Sequence, residues 1–478
     1  MSRADLARFL ETVSGLADGP LPEARDLFDP AAPIVVARAP GRLDVMGGIA
    51  DYSGSLVLQL PLAEATFAAV QRSPLPALEI VSLPSEGGRR AVRAHVPLAA
   101  LVSGGEPVAY DAARAWFARD PRTQWAAYVA GALLVLMHER GARFPGGARI
   151  LISSAVPGGK GVSSSAALEV AGMAALAGAF GLDLGDPRGL ALLCQAVENR
   201  VVGAPCGVMD QMTAACGEEG RLLALLCQPA ELLPPVDIPG DVAFYGIDSG
   251  LSHEVSGGDY HSVRVAAFMG YRLLAQAAGL AVHPTGADGH VRVDDPSWHG
   301  YLANVDAAEF DRRFAPLLPE HLGGAEFLRR YGGTTDRVTT VDPARLYAVR
   351  VATAHPVHEH ARVRAFADLL RAPEGPRRRQ LLGTLMRQSH ESYSACGLGS
   401  SGTDRLVALC EREDALHGAK ITGGGSGGTV AVLAEAGTAG RDAVSRVAER
   451  YRAETGHAAT IFAGSSPGAA AFGTRTVG

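Results

Sequence analysis

The sequence predicts an α/β protein with two domains. Its 478 residues exceed the usual size of a single domain. Strand-like and helix-like segments alternate from residue 34 to about residue 203, enough for one complete unit. The proline-rich stretch 229–239 interrupts the pattern, and a second α/β unit begins with the strand-like Val242–Asp248. We therefore place the first domain at residues 1–232 and the second at residues 233–478.

Apolar spacing and turn residues locate the elements within each unit. The elements predicted in the first unit are a helical start over residues 1–29, a strand at Ile34–Arg38, a turn at Pro40–Gly41, a helix at Gln124–Glu139, a strand at Arg149–Ser153, a helix ending near Phe180, and a helix from Asp186 to about Gly203. In the second unit, residues 283–345 are predicted to form an irregular insertion. From about Ser389 to Phe472 the predicted order is helix, glycine-rich turn, strand, helix, strand.

Composition and charge argue against several classes of partner. The net charge of −6 gives no reason to expect nucleic acid or an anionic membrane. No apolar run approaches the roughly 20 residues that span a bilayer, and the N-terminus lacks the apolar core of a signal peptide. Six scattered cysteines form no C-x-x-C pair. We therefore expect a cytoplasmic protein with reduced thiols, whose oligomeric state the sequence leaves open.

A glycine- and serine-rich segment at Pro157–Ala167 predicts an anion site. Its glycines let the backbone approach an anion closely, and the positive N-terminal end of the following helix points at the same place. The segment does not match the P-loop pattern G-x-x-x-x-G-K-[ST]. A flexible loop is the alternative, but a helix that begins inside the segment argues against it. Lys160, one of two lysines in the chain, could add a phosphate contact.

Two further segments are rich in glycine. Ala39–Tyr52 carries Arg42 and Asp51 and could present them to a polar ligand, although a structural turn with solvated charges explains it equally well. Lys420–Thr429 precedes a strand and could bring backbone against a ligand or another loop. Each segment is a weak signal when it is taken alone.

Two carboxylates lie between these segments. Glu198 is near the end of a predicted helix, and Asp210 follows after a turn. Both could be ordinary surface carboxylates. Beside an anion site, however, one can hold Mg²⁺ and the other can accept a hydroxyl proton, the two acidic roles of phosphoryl transfer. The cluster of His355, His358 and His360 has no metal-ligand pattern that we recognise, so no metal site is assigned to it.

Taken in order, the three glycine-containing segments and the carboxylates resemble the motifs of the GHMP kinases. The first segment also resembles the galactokinase signature A-P-G-R-V-N-L-I-G-E-H-T-D-Y-N-G. The resemblance covers nearly the whole chain. It implies a two-domain fold of the α/β (α+β) class, with the active site in the interdomain cleft and a ferredoxin-like second domain. It also implies ATP, Mg²⁺ and a sugar as the partners of the site.

The resemblance assigns roles residue by residue. Arg42 and Asp210 match the catalytic arginine and aspartate of the galactokinases. The implied substrate positions are Gly48, Ile49, Asp51, Cys206, Gly207 and Tyr260. The implied nucleotide positions are Trp125, Tyr128, Gly159, Gly161, Ser163, Ser164 and Ser165, and the implied magnesium ligands are Ser165 and Glu198.

One departure from the galactokinase pattern concerns the substrate. Gly48-Ile49 stands where galactokinases have the Glu-His pair that holds the C6 hydroxymethyl group. L-Arabinopyranose has the ring stereochemistry of galactose and lacks C6, so the change suits this pentose. The segments Val45–Gln59, Gly203–Ala230 and Ser392–Leu406 also resemble the L-arabinokinases of plants. The resemblance therefore implies a kinase that converts L-arabinose to β-L-arabinose 1-phosphate.

Three alternatives stay open at the level of sequence. A galactokinase fits the motifs but is disfavoured by Gly48-Ile49. A galacturonate kinase would need a new cation for the C6 carboxylate, and the motif supplies none. A non-catalytic sugar sensor on the same fold would not need Arg42, Asp210 and Ser163–Ala166 to be intact.

Overall fold

Residues 3–84, 90–251, 258–286, 289–425 and 428–478 are described by the structure, a computed structural model. The strands are β1 (Ile34–Met46), β2 (Leu56–Ser73), β3 (Ala77–Ser82), β4 (Val92–Pro97), β5 (Val102–Ser103), β6 (Glu106–Pro107), β7 (Gly147–Ser154), β8 (Arg221–Leu226), β9 (Glu231–Asp237), β10 (Val242–Asp248), β11 (Ala281–Pro284), β12 (Gly289–Asp294), β13 (Leu322–Gly323), β14 (Gly333–Thr334), β15 (Leu346–Tyr347), β16 (Leu416–Ile421), β17 (Thr429–Glu435), β18 (Thr460–Ala463) and β19 (Arg475–Val477).

The α-helices cover most of the remaining chain. They are α1 (Arg3–Ser14), α2 (Tyr110–Phe117), α3 (Ala127–Arg140), α4 (Ser164–Phe180), α5 (Pro187–Ala196), α6 (Met209–Cys216), α7 (Gly258–Ala277), α8 (Ala307–Glu309), α9 (Gly324–Tyr331), α10 (Val349–Arg371), α11 (Pro376–Ala395), α12 (Ser401–Cys410), α13 (Thr438–Thr455) and α14 (Ala469–Phe472). Among the described helices, none combines the length and apolar character that crossing a bilayer requires.

Two sheets organise the molecule. The first has the order β19-β1-β2-β7-β3-β4, with β8 pairing both β2 and β9. The second has the order β16-β17-β10-β18, and its strands are antiparallel. In chain order, β10 is separated from β16 by helices, and β17 is separated from β18 by α13. This β-α-β-β-α-β arrangement is ferredoxin-like, as predicted for the second unit.

Strand β1 corrects the predicted turn at Pro40–Gly41. The strand continues through both residues, and the register of its pairing with β2 shifts between Pro40 and Arg42. A bulge tolerates proline because the ladder is already interrupted there. Gly41 is required by close packing, since a Cβ atom would lie 2.8 Å from the carbonyl oxygen of Val162. The bulge therefore brings β1 against the glycine- and serine-rich segment.

The chain changes sheets later than the predicted boundary between residues 232 and 233. That boundary falls inside β9, which pairs with β8 in the first sheet. Pro234 and Pro235 suggested a linker, but β9 pairs only with β8 and lies at a sheet edge, where proline is tolerated. The second sheet begins at Val242, and β19 returns to pair with β1. The division into domains stays a prediction.

The irregular segment 283–345 contributes aromatic side chains to a core shared with α7 and α10. Trp298, Phe310, Phe314 and Phe327 are buried there. The same core includes Ile49, from the 3₁₀ turn Gly48–Ser53 that follows β1. The insertion is thus packed directly behind one of the predicted substrate positions.

Candidate active site

A cavity of about 330 Å³ brings together most of the predicted site residues. Those that line it are Arg42, Ile49, Asp51, Gly159, Gly161, Ser165, Glu198, Cys206, Gly207, Asp210 and Tyr260. Gly424 and Gly425, from the third glycine-rich segment, also line it. Segments from both halves of the chain therefore meet at one cleft. Ser426 and Gly427 of the third segment lie outside the described residues.

Arg42, which is buried, forms an ion pair with the partly exposed Asp210 in this cleft. Asp210 Oδ1 accepts a hydrogen bond from Arg42 Nε at 2.8 Å and lies 2.7 Å from Nη2 in the same ion pair. The third guanidinium nitrogen, Nη1, donates to the carbonyl oxygen of Gly161 at 2.7 Å. Burial alone would lower the pKa of Arg42, but Asp210 and Asp44 together raise it. The positive charge of Arg42 is thus held between the glycine- and serine-rich segment and Asp210, the predicted base.

Asp51 has the features of a ligand-binding carboxylate. It is 5% exposed, and its Oδ1 has no hydrogen-bond partner among the described residues. Burial, followed by the charge of Asp210, raises the pKa of Asp51 to about 7. Gly207 permits this arrangement, because a Cβ atom there would lie 1.7 Å from Asp51 Oδ2. A ligand hydroxyl could satisfy the orphaned oxygen by donating to it.

The glycine- and serine-rich segment has the geometry of an anion cradle. Helix α4 begins at Ser164, so its N-terminal N–H groups end at the segment. Ser163 is buried with φ = 60°, and no residue that the structure describes makes a hydrogen bond with its Oγ. Lys160 lies 3.2 Å from Asp248, and its carbonyl oxygen accepts from Thr429 Oγ1 at 2.8 Å. Strands β10 and β17 of the second sheet therefore hold the segment in place through these two contacts.

Glu198 occupies a buried polar site beside the cradle. Burial, followed by the charge of Asp210, raises the pKa of Glu198 to about 7, although a hydrogen bond from Ser165 opposes the shift. Gln211 Nε2 donates to Glu198 at 2.6 Å and to Glu169 at 3.0 Å. Sequence reasoning did not single out Glu169, although its spacing of four residues from Ser165 places both on one face of α4.

The oxygen donors of Ser165 and Glu198 fit one kind of metal. Mg²⁺ keeps several waters and is usually held by one or two carboxylates together with substrate phosphates. Within the described residues, no group of three or more His, Cys, Asp or Glu side chains could hold a metal ion by itself. The sparse donor set therefore suits a metal that is shared with a phosphate ligand.

Gly48 differs from the other predicted substrate positions, and its contact with the sugar stays a prediction. It does not line the cavity, and a Cβ atom at Gly48 would lie 1.5 Å from Tyr393 Oη. The side of Gly48 that would carry a side chain is therefore filled by the tyrosine. Ile49 does line the cavity, and its backbone N–H donates to the same hydroxyl at 2.9 Å.

The remaining predicted positions surround the cleft without lining the cavity. Trp125 is half-buried with no hydrogen-bond partner for its Nε1, and burial, followed by the charge of Glu198, raises the pKa of Tyr128. Ser163 and Ser164 stand at the start of α4. The adenine-binding role of Trp125 and Tyr128 stays a prediction.

The three clustered histidines make separate contacts. His355 Nδ1 lies 2.8 Å from Ser392 Oγ, and His358 Nε2 lies 3.1 Å from Asp311. His360 Nδ1 accepts from the backbone N–H of Leu56 at 3.0 Å. These side chains tie α10 to its neighbours, which explains the histidines structurally.

An arginine that the sequence did not reveal supports the Cys206–Asp210 turn. Arg264 Nε and Nη2 bond the two carboxylate oxygens of Asp336 at 2.8 and 2.9 Å. Its Nη1 donates to the carbonyl oxygen of Cys206 at 3.3 Å. The pair joins α7 to the insertion, a contact that has no local sequence signal.

Comparison with known proteins identifies the family. Residues 127–218 match the model of the GHMP kinases N terminal domain, residues 365–454 that of GHMP kinases C terminal, and residues 25–72 that of the galactokinase galactose-binding signature. The chain is 46% identical to an L-arabinokinase of Arabidopsis thaliana over 94% of its length, and it spans 47% of that relative. It is 31% identical to a galactokinase of Chloroflexus aggregans, covering 84% of this chain and 85% of the relative.

Solved structures show the same fold. The Lactococcus lactis galactokinase complexed with galactose aligns with a TM-score of 0.69 at 19% identity, over 97% of this chain and 99% of that one. Mevalonate kinase of Methanococcus jannaschii aligns with a TM-score of 0.52 at 13% identity, over 89% and 96%. The predicted α/β class is confirmed. These matches and the cleft described above show that the chain belongs to the GHMP kinase family. The members of this family are ATP-dependent kinases. Within that family it is galactokinase-like.

Proposed function

We propose that this protein is a sugar 1-kinase that transfers the γ-phosphoryl group of ATP to the anomeric hydroxyl of L-arabinose. The observation that carries the substrate assignment is the wall formed by Ile49, with Tyr393 packed behind it. Ile49 lines the cavity, while Tyr393 fills the space beside Gly48. This wall offers an apolar side chain where a hexose would require partners for its C6 hydroxyl. The 46% identity to an L-arabinokinase supports the same substrate.

In the proposed reaction, three charged residues of the cleft have separate roles. Asp51 accepts a hydrogen bond from a sugar hydroxyl through its orphaned Oδ1. Asp210 accepts the proton of the anomeric hydroxyl as that oxygen attacks phosphorus. Arg42, held by Asp210 and Gly161, offsets the negative charge that develops. The first turn of α4 positions the phosphates.

Mg²⁺ would be held by Ser165 and Glu198 and would supply positive charge to the transferred phosphoryl group. Glu198→Gln is expected to raise the Mg²⁺ concentration needed for half-maximal rate about tenfold or more, because a neutral amide is a weaker ligand than a carboxylate. The KM for the sugar should stay near its original value. Magnesium titrations of the variant, the original protein and Glu449→Gln, an exposed control on α13, test the assignment. Identical titrations would remove Glu198 from the metal site.

Selectivity between two sugars tests the substrate. A buried polar group without a partner costs roughly 1–3 kcal/mol, or about tenfold to a hundredfold in specificity. We expect kcat/KM for L-arabinose to exceed that for D-galactose by at least about tenfold, because the C6 hydroxyl of galactose would face Ile49. Steady-state kinetics on both sugars, with the product analysed for a 1-phosphate, measure the ratio.

A galactokinase is the second candidate. The match of residues 25–72 to the galactose-binding signature and the 31% identity to a galactokinase favour it. Equal or better use of D-galactose would make this the function. No turnover of either sugar, with retained sugar binding, would point instead to a sensor. The cytoplasmic location inferred from the cysteines stays a prediction.

A further inference from the structure

The backbone at Gly48 has no room for a side chain. A Cβ atom would lie 1.5 Å from Tyr393 Oη and 2.8 Å from Asp44 Oδ2, and φ at Gly48 is +41°. Real Cβ atoms do not approach other atoms so closely, and left-handed backbone favours glycine. Glycine at position 48 and tyrosine at position 393 are therefore two halves of one packing arrangement.

The hydroxyl of Tyr393 joins two walls of the cleft. It accepts from the backbone N–H of Ile49 at 2.9 Å and donates to the carbonyl oxygen of Gly423 at 3.0 Å. Ile49 lines the cavity. Gly423 begins the turn whose next two residues, Gly424 and Gly425, also line it. A single side chain from α11 thus fixes the distance between these walls.

The tyrosine is itself held in place. Its side chain is completely buried. Lys420 Nζ lies 5.1 Å from the ring centroid, and the His355 ring packs edge-on with centroids 5.2 Å apart. Burial, followed by the charges of Asp44 and Glu359, raises the pKa of Tyr393, so the hydroxyl keeps its proton and can donate.

Two side chains of helix α10 hold the segment Gly47–Leu56, which contains Ile49, at the two ends of that segment. Glu359 Oε1 accepts from the backbone N–H of Gly47 at 3.2 Å. His360 Nδ1 accepts from the backbone N–H of Leu56 at 3.0 Å. Between these points, Tyr393 is the contact to the backbone N–H of Ile49, the residue whose side chain faces the cavity.

We infer that Tyr393 is a positioning residue that sets sugar selectivity. It takes the volume that a side chain at position 48 would need, and it holds Ile49 at the depth where the pocket ends. The selectivity assigned to Ile49 is thus shared with a residue 344 positions away that does not line the cavity. The inference rests on the proposed function for the identity of the sugars but not for the contact itself.

Tyr393→Phe removes the hydroxyl and keeps the ring. We expect the KM for L-arabinose to rise about tenfold, kcat to stay within about threefold, and the arabinose-to-galactose ratio of kcat/KM to fall about fivefold or more. The KM for ATP should not change. Tyr271→Phe is the matched control, because Tyr271 is equally buried in the same core and its hydroxyl bonds Asp295 at 2.7 Å. The control should lose stability without changing either sugar's KM.

Hydrogen exchange in the protein without sugar tests the contact between Tyr393 and Ile49 independently of which sugar is the substrate. The amide of Ile49 should exchange faster in Tyr393→Phe and at the original rate in Tyr271→Phe. An unchanged selectivity ratio in Tyr393→Phe overturns the inference, whichever sugar the protein prefers. Preference of the original protein for D-galactose overturns only the proposed function. If Tyr393→Phe does not fold, Gly48→Ala disturbs the same contact and should raise the sugar KM; an unchanged KM overturns the inference.

Discussion

Asp210→Asn should lower kcat by about 10² or more while the fold and ATP binding stay nearly intact. Asparagine keeps the shape of aspartate and can still accept from Arg42, but it is a negligible base. The attacking hydroxyl would then lose its proton acceptor. The positive charge of Arg42 would lose the carboxylate that now lies 2.7 Å away, but Asp44 would still attract it, so the fold should hold.

The measurement is single-turnover kinetics with saturating sugar, together with ATP affinity and thermal unfolding of the same variant. Asp237→Asn is a suitable control, because Asp237 forms an exposed pair with Arg221 at 2.7 Å on the edge of the first sheet. The control should retain full turnover. Near-normal turnover in Asp210→Asn would remove Asp210 from the proton-transfer step.

Much of the cleft could be predicted from sequence because many of its residues lie in short, continuous motifs. The anion cradle needs consecutive glycines, serines and a helix start, and all three occur between Pro157 and Ser165. The pairing of Arg42 with Asp210 spans 168 positions, so it could be inferred only through the family resemblance. Spacing within the chain carries no information about such a contact.

Gly48 shows what a motif comparison does not reveal. Comparison with the galactokinase signature placed it against the sugar, because its counterpart there contacts the substrate. The structure turns that position toward Tyr393, so exchanging Gly48 for glutamate would introduce a clash rather than a ligand contact. The side chain of Tyr393 fills the space that a side chain at position 48 would occupy. One sequence cannot reveal this relation, because neither residue is unusual by itself.

Strand β16 illustrates a second limit. The sequence predicts no strand at Leu416–Ile421, whose last two residues belong to the glycine-rich segment Lys420–Thr429. A lysine near the end of an apolar strand usually marks a solvated edge. Here Lys420 is completely buried because Asp44, on β1 of the other sheet, supplies its counter-charge. Long-range pairing of this kind overrides local propensity.

That buried pair leads to the second large effect. Lys420 Nζ lies 2.7 Å from Asp44 Oδ2, and both side chains are completely buried. Burial alone would raise the pKa of Asp44, but Lys420 and Arg42 hold it below its usual value, so the carboxylate is charged at neutral pH. Gln59 Nε2 and the backbone N–H of Gly48 donate to its other oxygen at 2.7 and 3.0 Å. These two hydrogen bonds would remain if the lysine were removed, but no counter-charge would stand at 2.7 Å.

Lys420→Met is therefore expected to lower the free energy of unfolding by about 3–5 kcal/mol, because it leaves an uncompensated charge in the interior. Adding Asp44→Asn, which restores the asparagine of the galactokinase signature, should recover a large part of the loss, since both charges are then absent. Urea unfolding of the single and double variants measures the difference, and Arg221→Met, which removes an exposed ion-pairing cation, should change stability only slightly. If the double variant is as unstable as the sum of its single changes, the two charges do not compensate each other. The contact of the Lys420 ammonium with the ring of Tyr393 would then be the larger stabilising contribution.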